Sequence, residues 1–543
     1  MGEGGLFDYI VVGAGSAGCV LADRLSASGH RRVLLIEAGP ADRNLWIHVP
    51  LGYGKLFTSA RYNWLYQSEP EPELNNRQII QPRGKVLGGS SSINGLLYIR
   101  GQREDFDHWR QLGNSGWSYE DVLPHFLQSE DQQRPDLDEL HGHGGPLAVS
   151  DVETHPICDA FVEACAQAGF PRNDDFNGAT QEGAGYYQLT CRNARRCSTA
   201  KGYLKPALKR PNLKVESEAL ATRILFDGKR AVGVEYRQHG RLVQARAAGE
   251  VVLAGGAFNS PQLLQLSGVG PGDLLQSHGI EVRHNMPGVG DDLQDHFQAR
   301  FNYRGNEPIT INDMMASFPR RVGAVLDYAF NRKGPLTIGA GYAGGFYKTE
   351  PSLASPDVQI HFILFSADAI GQKLHPFPGF LSSICQLRPE SRGTVRIKSA
   401  DPSQAPAIQP NYLSASHDRE VMIAAMKLQR KIMSQRAIQR YIVEELNPGR
   451  QCQTDEQLLD YARAKGTTIF HPTSTCRMGP DARAVVDERL RVHGIEGLRI
   501  VDGSIMPTVV SGNTNAAIVM IGEKGAHMML EDAKAAAPLK VAV

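Results

Sequence analysis

The chain has 543 residues, of which 41% are hydrophobic and 21% are charged. Its 58 Lys and Arg residues balance 58 Asp and Glu residues, so no field of one sign is available to attract nucleic acid, and we expect no such partner. The sequence contains no run of about 18 apolar residues, which a membrane-spanning helix would need. Because the N-terminus leads into a strand without a cleavable apolar signal, we expect a cytoplasmic protein, with peripheral membrane contact left open.

The first element is a buried strand followed by a glycine-rich loop. Residues 7–12 read FDYIVV, and GAGSAG follows, ahead of a helical pattern that runs to about residue 28. A second apolar run ends in Glu37, 19 residues beyond Gly18. In such a unit Gly13 permits a tight turn, Gly15 lets the backbone approach a pyrophosphate, and Gly18 lets the helix pack closely on the strand. The pattern predicts a dinucleotide site and leaves NAD and FAD both open.

Three further segments are rich in glycine and small polar residues. Residues 83–101, RGKVLGGSSSINGLLYIRG, offer a dense cluster of backbone N–H groups suited to a phosphate or a polar ring edge. Residues 255–270, GGAFNSPQLLQLSGVG, predict a second strand–glycine–helix unit, with the helix starting at the proline. Residues 498–524 predict a strand ending in Asp502, a loop, and a helix of small apolar residues. The Asp502 carboxylate suits a ribitol hydroxyl.

Together with HPTSTCRMG, these blocks resemble the glucose–methanol–choline (GMC) oxidoreductase family, and within it the bacterial choline dehydrogenases and aliphatic alcohol dehydrogenases. The resemblance covers residues 7–527 and implies FAD rather than NAD. Some members attach FAD through a histidine in the second block; Ile93 stands at that position, which implies non-covalent FAD. By position, the resemblance assigns the cofactor to Gly13, Gly15, Ser16, Ala17, Gly18, Glu37, Ala38, Gly88, Ser92, Asn94, Gly95, Ala221, Asp502, Gly503, Asn513 and Thr514.

The stretch FHPTSTCRMG, residues 470–479, allows three interpretations of its histidine. A metal site would need further ligands at matched spacing, and the sequence offers none, so we expect no metal. A Cys476 nucleophile would need an ester or peptide type of substrate, so we interpret Cys476 as a core thiol. A neutral imidazole can accept the hydroxyl proton of an alcohol, which favours His471 as a general base. The resemblance implies the same role, with Asn513 stabilising the developing alkoxide.

The scattered cofactor blocks predict discontinuous domains in an α/β chain that is α+β overall. We expect a Rossmann-like FAD-binding domain over residues 1–155, 205–305 and 485–530. The substrate domain would comprise residues 156–204 and 306–484 and be built on an antiparallel sheet, with strands in 356–365 and 382–399. We further expect residues 366–380 to line the substrate entrance, residues 531–543 to form a loose tail, His141 and His143 to lie in a surface turn, and Asp295 and His296 to lie in a structural loop.

The predicted activity is FAD-dependent oxidation of a primary alcohol to its aldehyde, by hydride transfer to flavin N5 with His471 as base. An aliphatic or aromatic alcohol is favoured as the small-molecule partner, and the electron acceptor, whether a quinone, an artificial acceptor or oxygen, stays open. The alternatives are an alcohol oxidase and a choline dehydrogenase, for which Asp368, Phe377 and Phe380 are suggestive without forming a cage.

Two lyase alternatives also arise from the resemblance. A flavin-containing hydroxynitrile lyase would keep His471, so only an assay separates it from a dehydrogenase. The photodecarboxylases carry a Cys and an Arg in the strand region of Cys385 and Arg388, but they have a small residue at the position of His471. The histidine therefore argues against photodecarboxylation.

Overall fold

The computed structural model describes residues 2–135, 138–369 and 371–535. Two seven-stranded sheets organise these residues, one largely parallel and one antiparallel. The predicted α/β fold class, with a Rossmann-like sheet and a second antiparallel sheet, is confirmed.

The first sheet has a parallel centre and an antiparallel edge. Val33–Ile36 is buried along its whole length, as expected for a parallel strand covered on both faces. In spatial order the strands are Leu213–Glu216, Val33–Ile36, Gly2–Val12, Arg241–Leu253, Arg230–Gln238 and Ala219–Asp227, and Leu498–Ile500 also pairs with Arg241–Leu253.

The loop after Gly2–Val12 brings the helix Ser16–Ser26 against the sheet. Gly13 has φ +102°, a conformation that favours glycine. A Cβ atom on Gly18 would lie 1.8 Å from the Gly13 carbonyl oxygen, so only glycine fits at this crossing. The helix Asn515–Ala535 packs beside Ser16–Ser26, and the carboxylate of Glu523 accepts two hydrogen bonds of 2.7 Å from Arg24.

The second sheet is antiparallel throughout. One face of Phe297–Gly305 carries Phe297, Ala299 and Phe301, which pack into a buried core with the helices Pro156–Gln167 and Ser416–Met433. In spatial order the strands are Ile442–Asn447, Phe297–Gly305, Gly379–Gln386, Val358–Ile363, Ala343–Tyr347 and Gly183–Tyr186, and Thr467–Thr468 also pairs with Phe297–Gly305.

The remaining elements are short strand pairs and helices around the two sheets. The strand pairs are Tyr66–Gln67 with Ile80–Gln81, Glu130–Gln132 with Leu147–Val149, Cys191–Arg192 with Arg195–Arg196, Val269–Gly270 with His284–Asn285, and Thr394–Arg396 with Ala407–Gln409. The other α-helices are Leu45–His48, Tyr53–Leu56, Arg103–Gln111, Tyr119–Ser129, Lys205–Ala207, Gly256–Leu266, Gly272–Ser277, Ile311–Ala316, Phe318–Asn331, Arg436–Gln439 and Asp455–Lys465. In the described ranges, no helix combines the length and the apolar character needed to cross a bilayer.

Three details differ from the sequence-based expectations. The strand Phe297–Gly305, which we assigned to the FAD-binding domain, pairs with Gly379–Gln386 of the second sheet, because its apolar face joins that sheet's core. Residues 531–535, expected in the tail, continue the helix Asn515–Ala535, and residues 536–543 lie outside the described part. The domain boundaries otherwise stay a prediction.

The third difference concerns the helix predicted to start at the proline of residues 255–270. The helix begins at Gly256, so Pro261 lies inside it. Proline has no N–H to donate to the carbonyl four residues earlier, which belongs to Ala257. That carbonyl instead accepts a hydrogen bond of 2.6 Å from the Thr475 hydroxyl. A side chain from a distant segment therefore satisfies the group that proline leaves unpaired.

Candidate active site

Two adjoining cavities lie at the two sheets: the first sheet lines the smaller cavity, through residues such as Val12, Ile36 and Leu253, and the second sheet lines the larger. The smaller has a volume of about 160 Å³ and the larger about 680 Å³. Their walls share four residues: Ser16, Arg83, Ser90 and Ile518. The two cavities thus form one elongated cleft, which suits a dinucleotide with a substrate beyond it.

The smaller cavity is lined by the first glycine loop and by Glu37. The Glu37 side chain is buried and accepts hydrogen bonds of 2.9 Å from the N–H groups of Ala14 and Gly39. Burial raises the pKa of Glu37 to about 7, and these two donors oppose the rise. A carboxylate held in this way at the end of the second parallel strand can accept hydrogen bonds from a ribose.

Asp502 ties the second strand–glycine–helix unit to the same cavity. Its carboxylate accepts hydrogen bonds from the Gly256 N–H at 2.8 Å and from the Ser260 hydroxyl at 2.6 Å. A third bond of 2.8 Å comes from the Ser504 N–H. The cavity wall therefore holds a fixed acidic group opposite Glu37, where a polyhydroxyl chain could be bound.

The loop of residues 84–95 packs directly on the first glycine loop. The Gly88 N–H donates to the Ala14 carbonyl at 2.7 Å, and a Cβ on Gly89 would lie 2.6 Å from the Cα of Gly15. Asn94 lines the larger cavity, and its side-chain oxygen accepts a bond of 2.7 Å from Arg196. Because the two loops approach so closely, both of them line the smaller cavity with backbone that can contact a ligand.

The structure brings most of the predicted cofactor residues to the cleft. Lining the smaller cavity are Gly13, Gly15, Ser16, Ala17, Glu37, Ala38, Ala221, Asp502 and Gly503. Lining the larger are Ser16, Asn94, Gly95, Asn513 and Thr514. Gly18, Gly88 and Ser92 line neither cavity: Gly18 serves the helix crossing, and the buried Ser92 hydroxyl donates to the Leu87 carbonyl at 2.7 Å.

His471 lies in the wall of the larger cavity beside Asn513. Its side chain is 8% exposed, and its Nε2 atom is 3.2 Å from the Asn513 amide nitrogen. Its Nδ1 atom is 3.0 Å from Nδ1 of His296. Burial lowers the pKa of His471 well below 6.5, with further contributions from His296, His361 and Arg83. The imidazole is therefore neutral at physiological pH.

The hydrogen bonds around His471 define where its proton resides. Nε2 of His296 lies 3.0 Å from the Leu387 carbonyl, which can only accept, so that nitrogen carries the hydrogen. Burial lowers the pKa of His296 to about 4, so its ring is neutral and its Nδ1 must be an acceptor. His471 then donates from Nδ1, and its unprotonated Nε2 accepts a hydrogen bond of 3.2 Å from the Asn513 amide. This is the tautomer that a general base requires.

The backbone around His471 is strained and held by hydrogen bonds. Phe470 has φ +73°, an unusual conformation for an aromatic residue. Its N–H donates to the Thr468 hydroxyl at 2.6 Å, and its carbonyl accepts from the Arg83 guanidinium. The His471 N–H donates to the Asp295 carboxylate at 2.7 Å. Asp295 and His296, expected in a structural loop, thus hold the backbone and the ring of His471.

The second sheet presents polar side chains to the larger cavity. Along one row of paired residues, Arg300 faces Ser383, and Ser383 faces His361. All three line the cavity, as does Gln298. Burial lowers the pKa of His361 to about 4, although a hydrogen bond to Asn513 opposes the change. Sequence analysis missed this row, but the alternation of apolar and polar residues in FQARFNYR was a usable signal.

Apolar side chains make up much of the remaining wall. They come from several elements: Leu51, Phe57, Ile311, Met314, Met315, Ala324, Val325, Leu336, Ile363, Phe365, Leu374, Leu381, Ile469 and Phe470. The expected entrance segment contributes Ala367, Ala369, Gly371, Gln372 and Leu374. Asp368 points elsewhere, with its carboxylate 3.2 Å from His375, while Phe377 stacks on His375 and Phe380 is buried in the core. None of the residues suggestive of a choline cage lines the cavity.

The other residues singled out in the sequence lie away from the cleft. Cys385 is buried outside the cavity lining, and the Arg388 side chain donates to Gln102 and Ser355. Cys476 is buried in the core that contains the strands of the first sheet, and all eight cysteines are buried free thiols.

His141 is not in a surface turn, because its ring is buried between two carboxylates. It lies 3.2 Å from Glu130 and 2.9 Å from Asp175. No local pattern indicates these partners, since Glu130 and Asp175 come from separate segments. Within the described ranges, no group of three or more His, Cys, Asp or Glu residues could hold a metal ion.

Comparison with known proteins identifies relatives across the whole chain. Two family models described as GMC oxidoreductase match residues 7–298 and 389–522. An alcohol dehydrogenase [acceptor] of Pseudomonas putida is 43% identical over 528 residues, covering 97% of this chain and 96% of the relative. An oxygen-dependent choline dehydrogenase of Escherichia coli is 44% identical over 532 residues, covering 96% and 94%. A solved formate oxidase of Aspergillus oryzae RIB40, studied for FAD modification, superposes with a TM-score of 0.92 at 26% identity, covering 98% of this chain and 100% of that one.

Proposed function

The chain belongs to the GMC oxidoreductase family, whose members are FAD-dependent enzymes acting on CH–OH donors, and from this premise we propose that it oxidises a primary alcohol to its aldehyde. The observation that carries the proposal is the unprotonated Nε2 of His471, a hydrogen-bond acceptor in the cavity wall. It faces Asn513 in the wall of the larger cavity, next to the predicted cofactor residues.

The cleft fits FAD in shape and in the chemistry of its walls. Glu37 and the first glycine loop would hold the adenosine and pyrophosphate half in the smaller cavity. Asp502 would bind the ribityl chain, and Asn94 and Gly95 would contact the ring system in the larger cavity. Ile93 lines that cavity with an apolar side chain, which offers no nucleophile for a covalent link, so the proposed FAD is non-covalent.

Bound FAD would supply a hydride acceptor for the alcohol carbon. The residues of the chain handle the oxygen and its proton. His471 accepts the hydroxyl proton at Nε2, and the Asn513 amide N–H donates to the oxygen as negative charge develops there. Asp295 and His296 keep the imidazole in position and in the correct tautomer, so little reorganisation is needed during the reaction.

The apolar walls favour an aliphatic or aromatic alcohol over choline. No Asp or Glu side chain of the described residues lines the larger cavity, so the quaternary ammonium of choline would lack a counter-charge. The proposed electron acceptor is a quinone, an artificial acceptor or oxygen.

We also propose that the protein acts in the cytoplasm and contacts an anionic membrane surface through the helix Phe318–Asn331. Of the fifteen large apolar side chains exposed by the described residues, seven lie between residues 309 and 330. Phe318 is 70% exposed and Phe330 is 81% exposed. Four exposed cations flank this apolar face: Arg320, Arg321, Arg332 and Lys333.

This combination of an apolar face and basic flanks is typical of helices that lie in a bilayer interface. The same helix supplies Arg321, Ala324 and Val325 to the cavity wall. Membrane contact would therefore place the substrate entrance next to the lipid, where apolar alcohols concentrate. The positive flanks favour anionic lipid over a second copy of this neutral chain.

The proposal is tested by the visible spectrum of the purified protein before and after anaerobic addition of a panel of alcohols. A yellow protein bleached by an apolar primary alcohol, with the aldehyde recovered, is the expected result. A yellow protein that no alcohol bleaches, but that splits a hydroxynitrile, would replace oxidation by the lyase alternative. A colourless protein that takes up no added FAD would overturn the cofactor assignment.

A further inference from the structure

One half-buried cation in the wall of the substrate cavity has no partner. The Arg300 side chain lines the larger cavity, and its Nε atom is buried without any hydrogen-bond acceptor. Among the residues that the structure describes, no carboxylate forms an ion pair with Arg300, and its guanidinium makes no hydrogen bond.

The buried arginines among the described residues, and the half-buried Arg83 of the same cavity wall, all make hydrogen bonds. Arg100 pairs with Glu130, and Arg499 binds Glu250 and Asp532. Arg196 donates to the carbonyls of Ile47, Ser91 and Asn94. Arg83 donates to the carbonyls of Pro82 and Phe470. A cationic group withdrawn from water without a hydrogen-bond acceptor is costly, so the exception at Arg300 indicates a group that a ligand brings.

The rest of the cavity wall has the same sign of charge. Its four charged residues are Lys55, Arg83, Arg300 and Arg321, all of them cations. Burial lowers the pKa of Arg300 to about 10, which still leaves it charged at neutral pH. The planar fork of a guanidinium matches the two oxygens of a carboxylate, and one cation offsets one negative charge.

Arg300 lies in the same cavity wall as the proposed base. Arg300 and His361 occupy the same row of the sheet, two strands apart, and both line the cavity with His471 and Asn513. Neighbouring strands lie about 4.8 Å apart, so the backbones of Arg300 and His361 are separated by roughly 10 Å. One ligand in this cavity can therefore contact both the guanidinium and the proposed base.

Resting on the proposed alcohol oxidation, we infer that the substrate is a primary alcohol that carries a carboxylate, which Arg300 binds while the hydroxyl group lies between His471 and Asn513. The apolar wall contacts the carbon skeleton between them. In the reaction the alcohol carbon loses a hydride to the cofactor and the oxygen loses its proton to His471, and the carboxylate is unchanged. The product is an aldehyde that still bears the acid.

The inference is tested by titrating the FAD-loaded protein with hexanoate, which cannot be oxidised, and following the flavin absorption. Arg300→Gln should weaken hexanoate binding about tenfold or more, on the scale of a charge-assisted hydrogen bond. Arg304→Gln is the matched control, because Arg304 is an exposed arginine of the same strand outside the cavity. The melting temperature and the FAD content of each variant report its folding.

A second measurement compares 6-hydroxyhexanoate with 1-hexanol as substrates. The ratio of their kcat/KM values should favour the acid in the wild type and fall about tenfold or more in Arg300→Gln, but not in Arg304→Gln. Equal hexanoate affinity in wild type and Arg300→Gln would overturn the carboxylate inference, whichever alcohols are oxidised. If hexanoate binding depends on Arg300 but the protein oxidises neither alcohol, the proposed reaction would be overturned. The assignment of Arg300 as an anion-binding residue would then stand.

Discussion

The Nδ1 atoms of His296 and His471 lie 3.0 Å apart, so one of the two rings must donate to the other. Because the Leu387 carbonyl fixes the hydrogen of His296 on its far nitrogen, the donor is His471. A single line of hydrogen bonds then runs from Leu387 through both histidines to Asn513, and Gln359 donates to the Asn513 oxygen at 3.2 Å. The proposed base is thus oriented from both sides.

Replacing His471 by Ala should slow substrate-dependent flavin reduction by about 100-fold or more, the usual scale for loss of a general base. Bound FAD should be retained, because His471 is separate from the adenosine and pyrophosphate contacts. Anaerobic stopped-flow absorbance gives the rate, and the visible spectrum gives the FAD content. Cys476→Ala, a change to a buried thiol in the same segment, should keep the wild-type rate. Equal rates in His471→Ala and wild type would refute the assignment.

His296→Leu should reduce the rate about tenfold, because Nδ1 of His471 would lose its acceptor and the ring could adopt the wrong tautomer. His296→Gln should restore part of the rate, since its amide oxygen can accept the same hydrogen bond. A packing role alone would leave Leu and Gln equally impaired. The measurement is the flavin reduction rate of both variants across a pH series.

The pH dependence of kcat/KM should show a base that stays active in mild acid. Burial first, and then His296, His361 and Arg83, lower the pKa of His471 well below 6.5, so the neutral form persists as the pH falls. The profile should stay flat from pH 8 through 6.5 and decline only below that. The alcohol deuterated at its reacting carbon should be used to confirm that hydride transfer limits the rate. A decline centred above pH 6.5 would contradict this prediction.

Vesicle flotation checks the proposed membrane contact. The protein should float with vesicles that contain phosphatidylserine and much less with pure phosphatidylcholine, and the double substitution Phe318→Ser, Phe330→Ser should abolish flotation. Leu208→Ser, at a half-exposed residue elsewhere, is the control. If the double variant changed only the oligomeric state measured by light scattering, the face would bind a second copy instead.

Stability should depend on pH through His141. Although burial lowers the pKa of this histidine, hydrogen bonds to Asp175 and Glu130 outweigh it and raise the pKa to about 9. The folded protein therefore binds this proton more tightly than the unfolded chain, whose histidine has its ordinary pKa near 6.5. The contribution is complete below about pH 6.5 and is lost as the pH rises to about 9. The melting temperatures of wild type and His141→Gln should converge as the pH rises from about 6.5 to about 9. A difference in melting temperature that stays constant over this range would contradict the prediction.

The nucleotide-binding half of the cleft could be predicted from sequence because its signals are local. Gly13, Gly15 and Glu37 lie within one strand–helix–strand unit, and their spacing follows from its geometry. Asp502 could be predicted as well, because it directly follows a strand of the same sheet. The positions of these residues can be predicted without knowledge of distant contacts.

The substrate half could be predicted only in part, because it depends on pairing between distant strands. Arg300 and His361 meet across Gly379–Gln386, and no local pattern gives that register. His296 was visible as the neighbour of an aspartate, yet its role depends on a ring 175 residues away in the sequence. The assignment of Phe297–Gly305 to the FAD-binding domain was wrong for the same reason. An apolar strand face can pack in the core of either sheet, and only the pairing with Gly379–Gln386 decides which.

The bond between the Thr475 hydroxyl and the Ala257 carbonyl links the segment of the proposed base to a helix at the cofactor cavity. Two residues separate Thr475 from Pro472, which itself lines that cavity. The two segments therefore cannot separate without exposing a carbonyl that proline has left with no other partner. Because this hydrogen bond joins the two segments, we expect loss of the cofactor to increase the mobility of the His471 segment as well as that of the helix. The His471 side chain itself takes no part in the bond.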